Sequence, residues 1–168
     1  EGICSSCPAG WFSTGGAAAS CEPCQAGFSS AAAASSCVSC PTGMYSGSGA
    51  GNCTACEAGS YAAAKNSTEC VFCEIGRYAS APASSHCTQC GESSPSPEYF
   101  VTMAKLSFQA ETQYNYVIGS DNADHCGCDR GKRGANDGSC VLCTEGMQCP
   151  GLGDVLILPG YYSKAAPA

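Results

Sequence analysis

The chain has 168 residues, 17 of them cysteine, and carries 7 basic against 14 acidic side chains for a net charge of −7. That cysteine density is the mark of a disulfide scaffold in an oxidising compartment, not of a large apolar core. The acidic balance argues against a nucleic-acid partner, and the longest aliphatic run, Val155 to Leu158, is too short to span a bilayer.

Residues 1–90 read as a tandem array. Cys-x-x-Cys pairs recur as Cys4/Cys7, Cys21/Cys24, Cys37/Cys40, Cys53/Cys56, Cys70/Cys73 and Cys87/Cys90, with starts 17, 16, 16, 17 and 17 residues apart. Three residues after the second cysteine of the first five pairs stands a glycine: Gly10, Gly27, Gly43, Gly59 and Gly76. An aromatic follows within two positions, as Trp11, Phe12, Phe28, Tyr45, Tyr61 and Tyr78. The Cys-Pro-x-Gly segments are turn chemistry, because proline pre-sets φ and glycine accepts a positive one. The aromatic is expected to cover the neighbouring disulfide and supply most of the core of each unit. Alanine runs between the cross-links are too short to nucleate helix, so irregular loops and two-stranded ribbons are expected, with a helical turn at Ala31–Ala34.

The spacing leaves two disulfide schemes open. In the favoured one the second cysteine of each pair closes on the first of the next: Cys7–Cys21, Cys24–Cys37, Cys40–Cys53, Cys56–Cys70 and Cys73–Cys87. Each loop then encloses 12 or 13 residues, worth about 3 kcal/mol of chain entropy, and Cys4 needs a partner outside the sequence. The rival scheme crosses pairs, as Cys4–Cys21 with Cys7–Cys24. The odd cysteine count and the start at Glu1 without a signal peptide lead us to expect a processed piece of a longer secreted or membrane-anchored chain. Two glycosylation sequons, Asn52-Cys53-Thr54 and Asn66-Ser67-Thr68, lie in loops of the array.

The unit Cys-x-x-Cys-Pro-x-Gly-x-[Tyr/Phe]-Ser resembles the ephrin-receptor-like cysteine-rich repeat, a relative of EGF-like and TNF-receptor-like modules, over residues 4–90. The resemblance implies extracellular, non-enzymatic modules stacked into a rod. The sixth pair lacks the glycine and aromatic, continuing as Cys90-Gly91-Glu92-Ser93, and the array is expected to end there.

Residues 91–125 read as a β-rich insert after the turn Ser93-Ser94-Pro95-Ser96-Pro97. Short strands are expected at Glu98–Met103, Lys105–Gln109 and Gln113–Ile118, a meander with Tyr99, Val101, Phe108, Tyr114, Tyr116 and Ile118 available for burial, closed by a Cys90–Cys126 bridge. Residues 126–168 resume the cysteines. Cys126-x-Cys128 with Gly131 and a later cysteine resembles the C-terminal half of an EGF-like module, which implies Cys128–Cys140 and Cys143–Cys149. The tail from Glu145 to Tyr161 resembles cysteine-rich ends of large algal and protist surface proteins.

Other chemistries fit less well. Zinc would use Cys-x-x-Cys pairs, but these run on in tandem without grouping, with His86 the one histidine in the array; a thioredoxin-like site would need a βαβ setting. Asp121-Asn122-Ala123-Asp124 and Asn136-Asp137-Gly138 offer oxygen ligands without EF-hand spacing, and His86 and His125 each stand without a catalytic constellation. The expected fold is therefore small, disulfide-rich and mostly irregular, an elongated repeat rod plus a small β-rich C-terminal module, with no cofactor, metal or catalytic residue. The expected role is a non-enzymatic building block of a glycosylated extracellular fibre or cell-surface coat of the mastigoneme kind. Its partners would be N-linked glycans and other proteins, including copies of itself. The alternative is a ligand-binding stalk of a membrane receptor or channel. Contacts are expected beyond Cys90, at Tyr99–Ile118 and Val155–Tyr162, where bulky apolar side chains cluster.

Overall fold

The computed structural model describes residues 5–16, 20–108 and 111–161; Cys4, Gln109 and Tyr162, each named above, lie outside them. The described elements are short antiparallel ribbons with two 3-10 turns, Pro97–Tyr99 and Ala123–His125. The first ten strands are two residues each and pair in sequence. β1 (Trp11–Phe12) pairs β2 (Glu22–Pro23), β3 (Phe28–Ser29) pairs β4 (Val38–Ser39), and β5 (Met44–Tyr45) pairs β6 (Thr54–Ala55). β7 (Ser60–Tyr61) pairs β8 (Val71–Phe72), and β9 (Arg77–Tyr78) pairs β10 (Thr88–Gln89). The first strand of each ribbon leaves a Cys-x-x-Gly turn, and the second lies between the two cysteines of the next pair. Disulfides Cys7–Cys21, Cys24–Cys37, Cys40–Cys53 and Cys56–Cys70 close these units, which rules out the crossed scheme. Cys73 and Cys87 are also disulfide-bonded.

Contacts divide the chain into two compact units, residues 1–72 with 79–87, and residues 73–78 with 88–168. The division falls inside the fifth repeat. In the first unit every repeat is bonded to the next by the same pair of backbone hydrogen bonds. The turn-glycine N–H donates forward, Gly10 to Ser30 O at 2.8 Å, Gly27 to Ser46 O at 2.9 Å and Gly43 to Ala62 O at 2.8 Å. A loop N–H donates back to the second cysteine, Ala33 to Cys7 O, Gly49 to Cys24 O, Asn66 to Cys40 O and Ala83 to Cys56 O, at 2.8–2.9 Å. These four loop residues are all left-handed, with φ of 58–72°. The expected helical turn at Ala31–Ala34 is therefore absent, because Ala33 at φ 60° cannot continue a right-handed helix.

The core also differs from expectation. The second cysteines Cys24, Cys40 and Cys56 are at most 1 % exposed, whereas the first cysteines Cys21, Cys37, Cys53 and Cys70 and the aromatics Phe28, Tyr45 and Tyr61 are only half-buried. The other buried side chains of these repeats are small: Ser30, Ser46, Ser60 and Ala62. The Ser30 and Ser46 hydroxyls donate to Trp11 O and Phe28 O of the preceding repeat at 3.1 and 2.9 Å. Buried hydroxyls are as a rule hydrogen-bonded, and these serines are stitches between repeats.

The second unit extends the repeat. β11 (Phe100–Phe108) pairs on one side with β12 (Glu111–Tyr116) and on the other with β13 (Cys126–Cys128). Two of the expected strands, Glu98–Met103 and Lys105–Gln109, are thus one continuous strand, and the third strand of the sheet comes from the cysteine-rich segment. Phe100–Thr102 occupies the place of a repeat's first strand. Gly76 N–H donates to Thr102 Oγ1 at 3.1 Å, and Gly119 N–H, at φ 70°, donates to Cys73 O at 2.7 Å. Ser120 then bridges Tyr78, as Ser67 bridges Tyr45. The sixth repeat therefore exists. The β11–β12 hairpin is spliced into its loop, and Cys90–Cys126 is its disulfide.

Beyond it, β14 (Lys132–Gly134) pairs β15 (Cys140–Leu142), and β16 (Met147–Gly151) pairs β17 (Asp154–Ile157) around a bulge. Gly131 and Gly146 stand three residues after Cys128 and Cys143, at φ 77° and 81°. Gly131 N–H donates to Cys149 O at 2.9 Å, and Cys143 N–H donates to Gly131 O at 2.9 Å, the bonds that Gly10 makes with Ser30 and Cys24. Cys128–Cys140 and Cys143–Cys149 close these units. Residues 126–149 thus repeat the hydrogen-bond geometry of the array.

Candidate interaction surface

The hairpin of the second unit is anchored by a small core. Thr102 and Met103 are fully buried and Tyr114 nearly so, whereas Tyr99, Tyr116 and Ile118, expected to be buried, are exposed. The structure substitutes Met103, which sequence reasoning placed in a strand but not in the core. The reason is Gly151, whose missing side chain leaves room for the Met103 sulfur: a Cβ there would lie 2.7 Å from it. The bulge in β16 thereby lies against the hairpin.

Polar latches complete the anchorage. Asp154 at the start of β17 accepts a hydrogen bond from Lys105 Nζ at 2.6 Å and another from the Tyr114 hydroxyl. Asp129 accepts from the Tyr116 hydroxyl at 2.7 Å, and the Arg130 guanidinium donates to Tyr114 O while lying 5.3 Å over the Tyr116 ring. Lys132 stacks over Tyr99 at 4.7 Å. These contacts hold the hairpin, β14 and the β16–β17 ribbon as one body.

The Asp154 latch makes the anchorage pH-dependent. The hydrogen bonds from Lys105 and Tyr114 hold its carboxyl below the ordinary range, and Asp154 in turn raises Lys105 and Tyr114. A lowered carboxylate stabilises the fold above its unfolded value of about 4 and loses that contribution as pH falls through the folded value. Raised groups contribute below their unfolded values and lose it as pH rises through the folded ones. All three contributions are present together from about pH 4 to about pH 10. Because the pair is largely exposed, the effect is small and salt-sensitive. Amide-exchange protection of β12 should be lower in Asp154→Asn than in wild type at neutral pH. The difference should shrink as falling pH protonates Asp154; a difference that is the same in acid as at neutral pH would sink the latch.

What this anchored body displays is apolar. Val155, Leu156, Ile157 and Leu158 are all exposed, Leu156 by 53 %, although successive strand residues point to opposite faces. β17 pairs only with β16 among the described residues, so its other edge is open. The segment is pinned and not loose: Leu158 N–H donates to Gly146 O at 2.9 Å, and the Tyr161 hydroxyl donates to Glu145 at 2.9 Å. Leu158-Pro159-Gly160-Tyr161 forms the same turn as Pro8-Ala9-Gly10-Trp11, with Gly160 at φ 89° and Tyr161 N–H donating to Leu158 O at 3.1 Å.

Both sequon asparagines, in the first unit, are exposed. Asn66 is one of the left-handed loop residues; Asn52 precedes Cys53, which is bonded to Cys40. The remaining candidates are spent locally. Asn122 caps Asp124 N–H at 2.9 Å, and Asp137 accepts from Ser139, which lowers its carboxyl. His86 and His125 hydrogen-bond Ser85 and Ser120, and Ser120 is buried. Among the described residues no group of three or more His, Cys, Asp or Glu is placed to hold a metal ion, and no helix is long and apolar enough to cross a membrane. No known family model matches the chain, and no curated protein is similar to it.

Proposed function

We propose that this chain is a non-enzymatic extracellular structural protein, a building block of a glycosylated fibre or cell-surface coat of the mastigoneme kind, made of ephrin-receptor-like cysteine-rich repeats. The observation that carries the reading is the β17 strand, apolar on both faces and open along one edge. A fixed strand of this kind accepts another chain by edge pairing or apolar contact. The sixteen oxidised cysteines fit an oxidising location, and glycans at Asn52 and Asn66 would sit in the first unit, away from this surface in sequence.

Deleting residues 155–168 tests the proposal. The deletion spares Asp154 and every cysteine, so disulfide mapping should be unchanged while association, measured by sedimentation, is lost. A truncated chain that associates as well as the full one would exclude this surface as the assembly site.

A further inference from the structure

Two grooves in the first unit occupy equivalent places in the repeat. Phe12, Gln25 and Cys37 line one, and Tyr45, Glu57 and Cys70 line the other. Phe12 and Tyr45 are both second after a turn glycine, Gln25 and Glu57 both follow a second cysteine, and Cys37 and Cys70 both open the next pair. The groove is therefore a product of the repeat itself and recurs two repeats on. The two copies differ in charge. Only the later one carries two carboxylates, the exposed Glu57 and Glu69, beside Tyr45 and a Phe72 that is 68 % exposed. No basic side chain lines it, and neither does Asn52 or Asn66.

The second unit holds the complement. Arg130, Lys132 and Arg133 place three cations within four residues of a chain that has 7 in all. Arg130 is engaged by the hairpin, and Lys132 lies over Tyr99 with no carboxylate paired to it among the described residues, but Arg133 has no side-chain partner: its Nε is buried without a hydrogen-bond partner, and its Nη1 reaches only Gly134 O at 3.4 Å. A guanidinium is a planar fork suited to carboxylates and to aromatic faces. The groove offers both.

We infer that the Glu57–Glu69 groove of one copy receives Arg133 and Lys132 of a neighbouring copy. This contact rests on the self-association proposed above and adds to the β17 surface a second contact, too weak to hold copies together alone, that sets which parts of two copies meet. The two surfaces are different, so the contact is heterologous and leaves a free groove at one end and free cations at the other. Such a contact propagates into an open chain unless a rotation closes it into a ring. Exposed ion pairs are individually weak and screened within a Debye length of about 10 Å at 0.1 M salt, so assembly should be favoured at low salt.

Sedimentation velocity of the full chain at low salt, with paired charge reversals, tests it. Glu57→Lys/Glu69→Lys and Lys132→Glu/Arg133→Glu should each associate about tenfold more weakly, since like charges then face each other. An equimolar mixture of the two variants should restore association, because each supplies the surface that the other lacks. If the wild-type chain associates but either variant does so equally well, or the mixture gains nothing, this contact is overturned and the assembly proposal stands. A wild-type chain that stays monomeric at every concentration overturns both.

Discussion

Replacing Cys90 and Cys126 together by serine is expected to cost the second unit about 4 kcal/mol, the chain-entropy value for a bridge across 36 residues. The same substitution of Cys143 and Cys149, 6 residues apart, should cost about 2 kcal/mol. The ordering follows from loop length, since the longer bridge removes more freedom from the unfolded chain. Cys90–Cys126 also clamps the base of the hairpin, because Cys126 faces Thr102 across β13 and β11. Urea titration followed by near-ultraviolet circular dichroism reads both variants. Equal midpoints for the two would show that loop length does not govern the stability of this unit.

The second large effect is expected at Gly43. Its φ of 80° lies in the left-handed region, and a Cβ built there would run into the backbone carbonyl of Ala83, two repeats further along. Gly43→Val should therefore cost about 3 kcal/mol or more, combining left-handed strain with displacement of a backbone loop. Gly131 is the control. It has φ 77° but nothing within 4 Å of the built Cβ, so Gly131→Val should cost only the strain, about 1–2 kcal/mol. Hydrogen exchange should show the Gly43→Val damage at Cys40–Tyr45 and at the loop around Ala83, with the Cys7–Cys21 ribbon protected as before. A substitution that unfolds the whole array, or one no worse than Gly131→Val, would contradict packing that reaches no further than two repeats.

Much of this was legible because cysteine and glycine announce themselves by identity. The ladder, the ribbons and the turns at Gly10 to Gly76 follow from covalent closure and from φ, which depend on one residue each. What escaped was the continuation. Cys128-Asp129-Arg130-Gly131 and Cys143-Thr144-Glu145-Gly146 carry the same Cys-x-x-Gly signal, but Lys132 and Met147 replace the aromatic. The sixth repeat was hidden by two insertions, one before Tyr99 and one between Met103 and Ile118, which break the period that identifies a repeat. The aromatics drew attention as core, whereas burial falls on Ser30, Ser46 and Ala62, three residues after Gly27, Gly43 and Gly59. Met103 was missed because its burial depends on Gly151, a partner 48 positions away that no local pattern predicts.

The spliced hairpin has a wider meaning. Val117 N–H donates to Thr102 O at 2.9 Å, so the chain leaves and re-enters the sixth repeat at neighbouring points, and Gly119 still reaches Cys73. Whatever is inserted between those points carries its own closure, and lengthening such a loop adds only about 0.6 kcal/mol per doubling. The repeat is thus a mounting rail. Each loop between a strand and its left-handed residue is a socket into which a module with adjacent ends can be plugged, leaving the sulfur framework untouched. Evolution has filled one socket here, and the loops at residues 47–48, 63–65 and 80–82 offer the same fitting to an engineer.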